Sequence, residues 1–529
     1  MKQTMKTKHL FRARLLSLAA LCGMVLTMAS CASEDTVQNP SNKDNDNDKN
    51  LTTFAAGDPS SRTSMTSTGT FYWEAGDKIY VKDDNNVWQA SSNSPTTQTP
   101  SFKFRVPGQF TAHTSYKVYY PGQGGSNDQV GISATQAQTK PNTTTHFGDA
   151  GDCGEADATG GNGVFNFTLN HQAAYLIFQP YTNNTTLHNC YLTKIEVNAD
   201  DNIMGSYTFD PSTGHLTGTG TGKQIVLTTK DPAAGSANEK GFPLTNTTAS
   251  LATNGAYMVI KPGTHALTIR YWVKDYVTGV EGAITRTIGS RLFDRNKYYN
   301  IVSELDVKNY DGHNYYMFDA PKNYWYQHEW DTATPWQPTL NGQTNSNNPT
   351  ASDPDRWYHS TSTGRDTRAD AITPHFKTLP NANEIVWYCY QGDPHWDADE
   401  LWTIMGHLYK GGMWLLKKDK IASKNSTTTA AMAAAYGSDL RVTASQHVNN
   451  TIVQGRPAPS DIGDYFYLPA AGAYTGGTLN EVGSGGHYWS SSGSGWDSYA
   501  AYFMDFSSSS IEVHTWYDTN IGYFLYPFQ

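Results

Sequence analysis

The sequence predicts a mainly β protein, with two antiparallel β-sandwich domains followed by an α+β domain. Between residues 61 and 308, short segments with alternating apolar and polar residues are separated by Gly, Asp and Asn. The chain also contains 33 Tyr and 14 Trp, residue types that are enriched in strands. Beyond residue 356, helix-like patterns precede Gly- and Ser-rich strands. Because 529 residues exceed what one hydrophobic core holds, several domains are expected.

Residues 1–30 have the features of a secretory signal peptide. Basic residues come first, an apolar run extends from Leu15 to Met28, and two small residues precede Cys31. The apolar run is too short to span a membrane as a stable helix. The segment resembles a bacterial lipoprotein signal, which implies that Cys31 is lipidated and anchors the chain. The alternative is an ordinary cleaved signal with an incidental cysteine.

A polar string follows Cys31. Residues 32–50 are rich in Asn, Asp and Ser, and Val37 is the single large apolar residue among them. Such a segment cannot bury enough apolar surface to fold. We therefore expect residues 31–60 to form a flexible tether and removable propeptide. Glu34 and Asp35 are similar to the acidic signal that sends some Bacteroidetes lipoproteins to the outer face of the outer membrane.

Strand patterns recur in two series. The stretch TFYWEAGDKIYVKD alternates on both sides of a Gly-Asp turn, and SFKFRVPG and SYKVYYPG repeat the alternation. After a Gly-rich loop over residues 148–163, VFNFTLNHQAAYLIF begins a second series that closes with NKYYNIVSEL. These series predict one β-sandwich over residues 61–164 and another over 165–308.

Several motifs in this region occur in an order that resembles one family. SRTSM is followed by W-x-x-G-D-K-I-x-V, F-x-L-x-H-Q-A-A-x-L-x-F, I-x-G-x-Y-T-F-D and T-G-x-L. They look like the fimbrillins of Bacteroidales, which are lipoprotein pilins with two transthyretin-like β-sandwich domains. The resemblance covers about residues 50–308. The alternative is that any secreted β-sandwich shows such alternation.

The resemblance implies a mode of assembly. In fimbrillins an arginine-specific protease removes an N-terminal segment, and a strand from the next subunit fills the groove that opens. Arg62 and Thr63 lie at the matching position, and residues 51–57, LTTFAAG, would be the displaced strand. An open groove offers unpaired backbone groups and apolar pockets to an incoming strand. The alternative is that Arg62 is an ordinary solvated arginine.

The composition after residue 308 shifts to Tyr, Trp, Asn and Pro, and the turn-rich end of the segment predicts a linker over residues 309–355. Beyond it, GDPHWDADELWTIMGHLYKGG concentrates groups that could bind a metal or form a glycosidase carboxylate pair. These groups are Asp393, His395, Asp397, Asp399 and Glu400.

A capped helix would explain this stretch without a metal site or a catalytic site. Asp397 and Glu400 have the spacing of a capping box, and the apolar residues that follow fall at helical spacing. We expect a helix from Asp397 to Lys410 that ends at two glycines. A second, Ala-rich helix is predicted from Thr428 to Tyr436.

The C-terminal residues 356–529 resemble a second family. The pattern looks like the major-paralogous-domain group of the C-type-lectin-like fold, which occurs in Bacteroidetes surface proteins. It comprises Leu468, Pro469, Gly472, Gly486, Tyr488, Trp489, Ser490, Ser491, Ala500 and Phe506. The closing strand departs from that pattern, because Phe524, Leu525 and Tyr526 stand where an arginine is usual. Glu-Pro-Asn and Trp-Asn-Asp triplets are absent, so calcium-dependent sugar binding is not implied.

Aromatic residues near the C-terminus are candidates for contact with a ligand, because the CH faces of sugars stack on aromatic rings. The candidates are Trp496, Tyr499, Trp516 and Tyr517. Large aromatics also bury well in cores. We expect Trp489, inside the lectin-like motif, to lie in the core, and burial remains the alternative for Trp496 and Trp516.

Charge and motifs exclude several classes of protein. The formal net charge of −10 becomes −15 without the five basic residues before Cys31, which argues against nucleic acid and anionic membrane surfaces. Cys153, Cys190 and Cys389 allow one disulfide but no zinc framework. Cys389 lies in IVWYCY, where we expect a strand and a buried thiol. We expect no cofactor and no enzymatic activity, because nucleotide-loop, zinc-protease and serine-hydrolase motifs are absent, and we assign no residue as a metal ligand.

These features favour a cell-surface fimbrial subunit that is anchored in the outer membrane before it enters the fimbrium. Its partners would be other pilin subunits, through donor-strand exchange, and a glycan or protein ligand on a host or microbial surface. Because the second sandwich continues into a further domain, a free donor strand is not expected, which favours a tip or accessory adhesin. The alternative is a permanently anchored lipoprotein that captures glycans. An enzyme that acts on polysaccharide is the third interpretation.

Overall fold

Strands dominate the structure, a computed structural model that describes residues 51–57, 64–65, 71–358, 370–494, 499–516 and 519–529. The prediction of a mainly β protein is confirmed. All of these residues belong to one compact unit. Among them, no helix has the length and apolar character needed to cross a membrane.

The first part of the chain forms twelve strands and a one-turn helix. They are β1 (Leu51–Ala56), β2 (Ser64–Met65), β3 (Phe71–Tyr72), β4 (Tyr80–Lys82), β5 (Trp88–Ala90), β6 (Phe102–Pro107), β7 (Ser115–Tyr120), β8 (Gln129–Ile132), β9 (Thr135–Ala137), α1 (Phe147–Ala150), β10 (Gly154–Gly161), β11 (Val164–Phe167) and β12 (Asn170–His171).

One sheet, here called the N-terminal sheet, contains most of these strands. Its order is β5-β4-β7-β10-β11-β1-β6, and β12 pairs with β10. The sheet is curled so that its two end strands, β5 and β6, meet. The Ser92 amide just after β5 donates to the carbonyl of Arg105 on β6 at 2.7 Å. Its alternate side chains enclose an aromatic core that includes Phe54, Trp73 and Phe165. In the strand order, β1 lies between β11 and β6 and is thus an interior strand of this sheet.

The second part is built from longer strands. They are β13 (Ala174–Tyr181), β14 (Tyr191–Ala199), β15 (Gly205–Phe209), β16 (Leu216–Thr217), β17 (Gln224–Thr228), β18 (Phe242–Pro243), α2 (Leu251–Asn254), β19 (Ala256–Ile260), β20 (Gly263–Lys274), β21 (Glu281–Phe293) and β22 (Tyr298–Glu304).

These strands form three sheets around a second core. The orders are β21-β20-β14-β17-β9, β19-β13-β22 and β16-β15-β8, and β18 pairs with β14. β8 and β9 precede residue 164 in the sequence but pair with β15 and β17, so the two predicted sandwich regions interlock. A sequence boundary between residues 164 and 165 therefore does not separate the strands of the two cores.

The third part combines strands with the longest helix. Its elements are β23 (Lys308–Tyr310), β24 (Tyr315–Tyr316), α3 (Ala382–Gln391), β25 (His395–Ile404), β26 (His407–Leu416), α4 (Lys418–Lys424), α5 (Thr429–Ala434), β27 (His447–Asn449), β28 (Val453–Gln454), β29 (Tyr465–Pro469), β30 (Ala471–Thr475), β31 (Thr478–Val482), β32 (Gly486–Gly493), β33 (Ala501–Phe506), β34 (Ile511–Trp516) and β35 (Tyr523–Phe524).

Two sheets organise this C-terminal region. One has the order β23-β25-β26-β29, with β28 on β25, and the other has the order β24-β35-β32-β33-β34-β27, to which β30 and β31 are joined. Residues 309–355, predicted to be a linker, contribute to the core of this region. Tyr315, Tyr324 and Trp325 are at most 1% exposed. The linker prediction is wrong here because large aromatic side chains gain most free energy by burial.

The predicted helix from Asp397 to Lys410 is wrong, because this stretch forms the hairpin of β25 and β26. Met405 and Gly406, both with positive φ, make the two-residue turn that such hairpins favour. Asp397 Oδ1 accepts the amides of Asp399 and Glu400 at 3.0 and 3.1 Å, as a helix N-cap would, but at a β-bulge. One of the two contacts expected of the capping box, that of the Asp397 side chain with the Glu400 amide, therefore forms within a strand.

The predicted strand around Cys389 is also wrong, because these residues form α3. Asn381 and Glu384 make the capping box of α3, each side chain accepting the amide of the other residue. The Ala-rich helix is confirmed as α5, whose Thr428 side chain accepts the Ala431 amide. The signal for α3 was present in the sequence as Pro-Asn-x-x-Glu before an apolar run.

Candidate functional site

β1 supplies every second side chain to the core of the N-terminal sheet. Thr52, Phe54 and Ala56 are buried, whereas the residues between them are half-buried on the other face. This alternation matches the period of a strand with one face in the core. Residues LTTFAA therefore form a strand, as the resemblance implied for segment 51–57.

Both edges of β1 are paired. It runs antiparallel to β6, with Phe54 opposite Phe104, and parallel to β11, with Phe54 opposite Phe165. The Thr53 amide also donates to the carbonyl of Gly163, just before β11, at 2.9 Å. In the described part of this sheet, β1 with β11 is the only parallel pair. β1 thus joins two strands that do not pair with each other.

Phe54 is the side chain that anchors β1. It has no exposed surface, and its ring lies 5.2 Å from the ring of Phe110 and 5.3 Å from that of Phe165. Aromatic rings at such distances contribute beyond the area that they bury. Loss of β1 would therefore remove a phenyl ring from the centre of the core.

The place that β1 fills has the dimensions of one strand. Without β1, β6 and β11 would be about 9.5 Å apart, twice the spacing of hydrogen-bonded strands. Their inner edges would present unpaired amides and carbonyls, which are costly unless water or another strand satisfies them. The vacated place would accept an extended peptide with a large apolar residue at the position of Phe54.

The predicted processing residues fall outside the described part of the chain. Cys31, Arg62 and Thr63 belong to the residues that the structure does not describe. The described chain before Arg62 ends at Gly57, after β1, and resumes at β2, which pairs with β3. A cut after Arg62 would therefore separate β1 covalently from every other strand of the N-terminal sheet.

The end of the second region leads directly into the C-terminal region. β22 is followed by β23, which pairs in parallel with β25. Across the same junction, the buried carboxylate of Asp275 accepts the Leu408 amide at 3.1 Å, and the Thr278 hydroxyl donates to the Leu408 carbonyl at 3.0 Å. The β25–β26 hairpin is thus docked on the second region, and β22 is followed by a fixed strand.

An open cleft of about 660 Å³ lies between β21 and β22. These strands are edges of two different sheets. Arg286 bridges them by donating to the carbonyl of Glu304 at 2.5 Å. The cleft presents strand edges and mixed charges, from Arg286 and Arg291 on β21 and from Glu304 and Asp306 at and just after the end of β22.

The structure distinguishes Tyr499, one of the predicted ligand-binding aromatics, from Trp489, the predicted core aromatic. Tyr499 is 54% exposed, and its ring lies 6.4 Å from that of Tyr358. Trp516 ends β34, but its side chain, like all of Trp496 and Tyr517, lies outside what the structure describes. Trp489 is 1% exposed and donates to the Tyr316 carbonyl at 2.8 Å, so the prediction of a core residue is confirmed.

The acidic groups between Asp393 and Glu400 do not converge on one point. Asp393 accepts the Tyr465 hydroxyl at 2.8 Å, and Asp397 is used by the bulge amides. Burial raises the pKa of Glu400, against the opposing effect of Arg456. A group that does converge, unnoticed in the sequence, comprises Asp505, Glu512 and His514, whose ligand atoms lie within 4.8 Å of one another.

The thiols of Cys153, Cys190 and Cys389 are buried, and no disulfide joins them. Burial raises the pKa of Cys190 and of Cys389 to about 12. A nucleophilic cysteine needs a lowered thiol pKa and access to solvent. The expectation of a buried thiol at Cys389 is confirmed.

No protein-family model and no curated protein matches the chain. Among solved structures, a candidate cell adhesion protein from Bacteroides uniformis is 16% identical, with 48% of this chain and 92% of that chain covered and a TM-score of 0.27. A fimbrial protein from Bacteroides ovatus is 11% identical over 89% of this chain and 98% of that chain, with a TM-score of 0.25. The fimbrial anchor protein Mfa2 from Porphyromonas gingivalis is 12% identical over 45% and 82%, with a TM-score of 0.20. Likeness at such TM-scores carries no conclusion about fold or function.

Proposed function

We propose that this chain is a cell-surface fimbrial subunit, a tip or accessory adhesin that assembles by exchange of β1 for a strand of a neighbouring subunit. The observation that carries the proposal is the interior position of β1 between β6 and β11. A strand that precedes the candidate cleavage site and fills the middle of a sheet is what strand exchange requires. Cleavage after Arg62 would leave β1 held by noncovalent contacts alone.

The remaining parts of the proposal follow the sequence resemblances. The first two regions would be the transthyretin-like sandwiches of a fimbrillin, and the third would be a C-type-lectin-like domain. Lipidation of Cys31 would hold the precursor at the outer membrane until cleavage. The proposal assigns the chain no enzymatic role.

The tip or accessory position is supported by the fixed strands beyond β22. β23 is paired with β25, and β35 lies between β24 and β32. Donation of either strand would break a sheet of the C-terminal region. The subunit could therefore accept a strand without passing one on, and it would present the C-terminal region, with exposed Tyr499, to a glycan or protein ligand.

The test is the N-terminal residue of the protein in fimbriae sheared from the native host. We expect Thr63, which would mean that the tether and β1 have been removed. Arg62→Ala should keep the chain at the membrane with Cys31 as its first residue. Arg456→Ala is the matched control. It removes a half-exposed arginine from the C-terminal region and leaves the candidate cleavage site at Arg62 intact.

The opposite result has a clear meaning. If wild-type chain occurs only in the membrane fraction with acylated Cys31, strand exchange is wrong and the permanently anchored glycan-capturing lipoprotein is favoured. If Arg62→Ala enters sheared fibres as readily as wild type, cleavage at Arg62 is not the trigger of assembly.

A further inference from the structure

The register of β33 and β34 places three potential metal ligands on one face of the C-terminal sheet. Asp505 is directly opposite Glu512, and Phe503 is directly opposite His514. Directly opposed residues share a face of the sheet, and so do residues two apart on one strand. The carboxylates of Asp505 and Glu512 and the imidazole of His514 therefore project together.

The distances suit a small ion. His514 Nε2 lies 3.0 Å from Asp505 Oδ1, and one ligand atom from each of the three residues lies within 4.8 Å of the others. A tetrahedral ion with ligand bonds of about 2.0 Å holds its ligand atoms about 3.3 Å apart. Ion binding therefore requires side-chain rotations that draw the three ligand atoms from within 4.8 Å to about 3.3 Å of one another.

Electrostatics favour a cation at this place. Like charges directly opposite each other on paired strands are destabilising. Asp505 has the imidazole of His514 as its partner, whereas the half-buried carboxylate of Glu512 has no hydrogen-bond or ion-pair partner within the described ranges. No described lysine or arginine forms an ion pair with either acid. A divalent cation would neutralise both carboxylates at once.

The surroundings hold the imidazole in place. The ring of Phe503 lies 4.3 Å from that of His514. On β32, His487 is directly opposite Asp505, but its Nε2 is engaged by Glu481 Oε2 at 2.7 Å. A histidine whose ring is fixed by its neighbours is a better ligand than a mobile one, because less ordering is needed on binding.

We propose that Asp505, Glu512 and His514 bind a divalent transition-metal ion of the zinc type, with a fourth position open to water or to a ligand group. One imidazole and two carboxylates match the ligand set of such ions, whereas calcium and magnesium prefer oxygen ligands throughout. The ion takes the place of the hydrogen bond between His514 Nε2 and Asp505 Oδ1, and the displaced proton passes to solvent. It ties β33 to β34 beside their connecting turn, Ser507–Ser510, and this role does not depend on the proposed fimbrial function.

The test is a titration of the purified, chelator-treated full chain with Zn²⁺, followed by calorimetry and by thermal unfolding. We expect saturable binding and a rise in melting temperature with Zn²⁺ concentration, and neither effect with Ca²⁺. His514→Gln should weaken the zinc affinity at least about 10-fold, because one of three ligands is lost. Glu512→Gln should weaken it as well, and this variant should fold normally because it breaks no described side-chain contact.

His313→Gln is the matched control. That imidazole also lies between two carboxylates, but Asp311 and Asp331 contact opposite ring nitrogens, each at 3.0 Å, so the three side chains share no point for an ion. Its zinc affinity should equal that of wild type. Wild-type affinity in both His514→Gln and Glu512→Gln would overturn the proposal, and so would Ca²⁺ binding as tight as Zn²⁺ binding.

Discussion

Phe54 of β1 stacks on Phe165 of β11, with ring centroids 5.3 Å apart and planes inclined by 18°. The two residues are also backbone neighbours across the parallel pair. The segment that precedes the candidate cleavage site is thus held through the same residue that fills the core. The stability of the N-terminal sheet and the retention of β1 should change together.

Phe54→Ala should destabilise the N-terminal sheet by about 3–5 kcal/mol, the usual cost of emptying a buried phenyl site. The free energy of unfolding in urea is the measurement. Val164→Ala is the control, since Val164 on β11 is 46% exposed and lies opposite Thr53. Equal losses in the two variants would contradict the buried role of β1.

The three thiols of the folded region should be unreactive. Cys153, Cys190 and Cys389 are buried with raised thiol pKa values, so a thiol reagent at pH 8 should label them only after unfolding. Counting labelled cysteines by mass spectrometry, before and after guanidinium is added, checks this. Rapid labelling of Cys389 in the native chain would mean that α3 opens readily.

His146 should make stability fall in mild acid. Burial lowers the pKa of His146 to about 4, below the unfolded value of about 6.5, while its Nε2–H donates to the Tyr257 carbonyl at 3.0 Å. The unfolded chain therefore binds the extra proton first as pH falls below 6.5, and the folded state loses at most about 3 kcal/mol by pH 4. His146→Gln should flatten the unfolding free energy over this range. An unchanged slope would assign the acid sensitivity to other groups.

The junction between the second and C-terminal regions should depend on Asp275. Its carboxylate is 2% exposed and accepts the amides of Val277 and Leu408 at 2.7 and 3.1 Å. Asp275→Ala should cost about 1–3 kcal/mol, because buried donors lose their acceptor. Limited proteolysis should then cut between the regions sooner than in wild type. Asp231→Ala, at a half-buried position in the loop after β17, serves as control.

The sequence alone predicted secondary structure correctly where one face of a strand is polar. The stretch SFKFRVPG was expected to form a strand, and in β6 Phe104 and Val106 are buried, whereas Lys103 is exposed and Arg105 is half-buried. The sequence alone did not predict the type of element where both of its faces are buried. Leu401–Ile404 and Met413–Leu416 are almost entirely buried, and an apolar run without alternation does not distinguish a helix from a strand.

The metal-capable group was beyond sequence analysis for a related reason. Asp505, Glu512 and His514 are spaced like surface residues, and only the register of β33 with β34 brings them together. Register depends on which turn closes the hairpin, here within the serine run 507–510, and serine-rich turns adopt many geometries. A single sequence does not show which residues of two strands lie opposite each other.

The pairing of β1 with β6 along its full length, and with β11 from Thr53 to Ala56, has a mechanical consequence. A pull along the axis of a strand in that place loads its hydrogen bonds to β6 and β11 side by side, so they must fail together. A pull across the sheet would instead open them one after another. A strand lying in this position would therefore resist tension along its own direction most strongly.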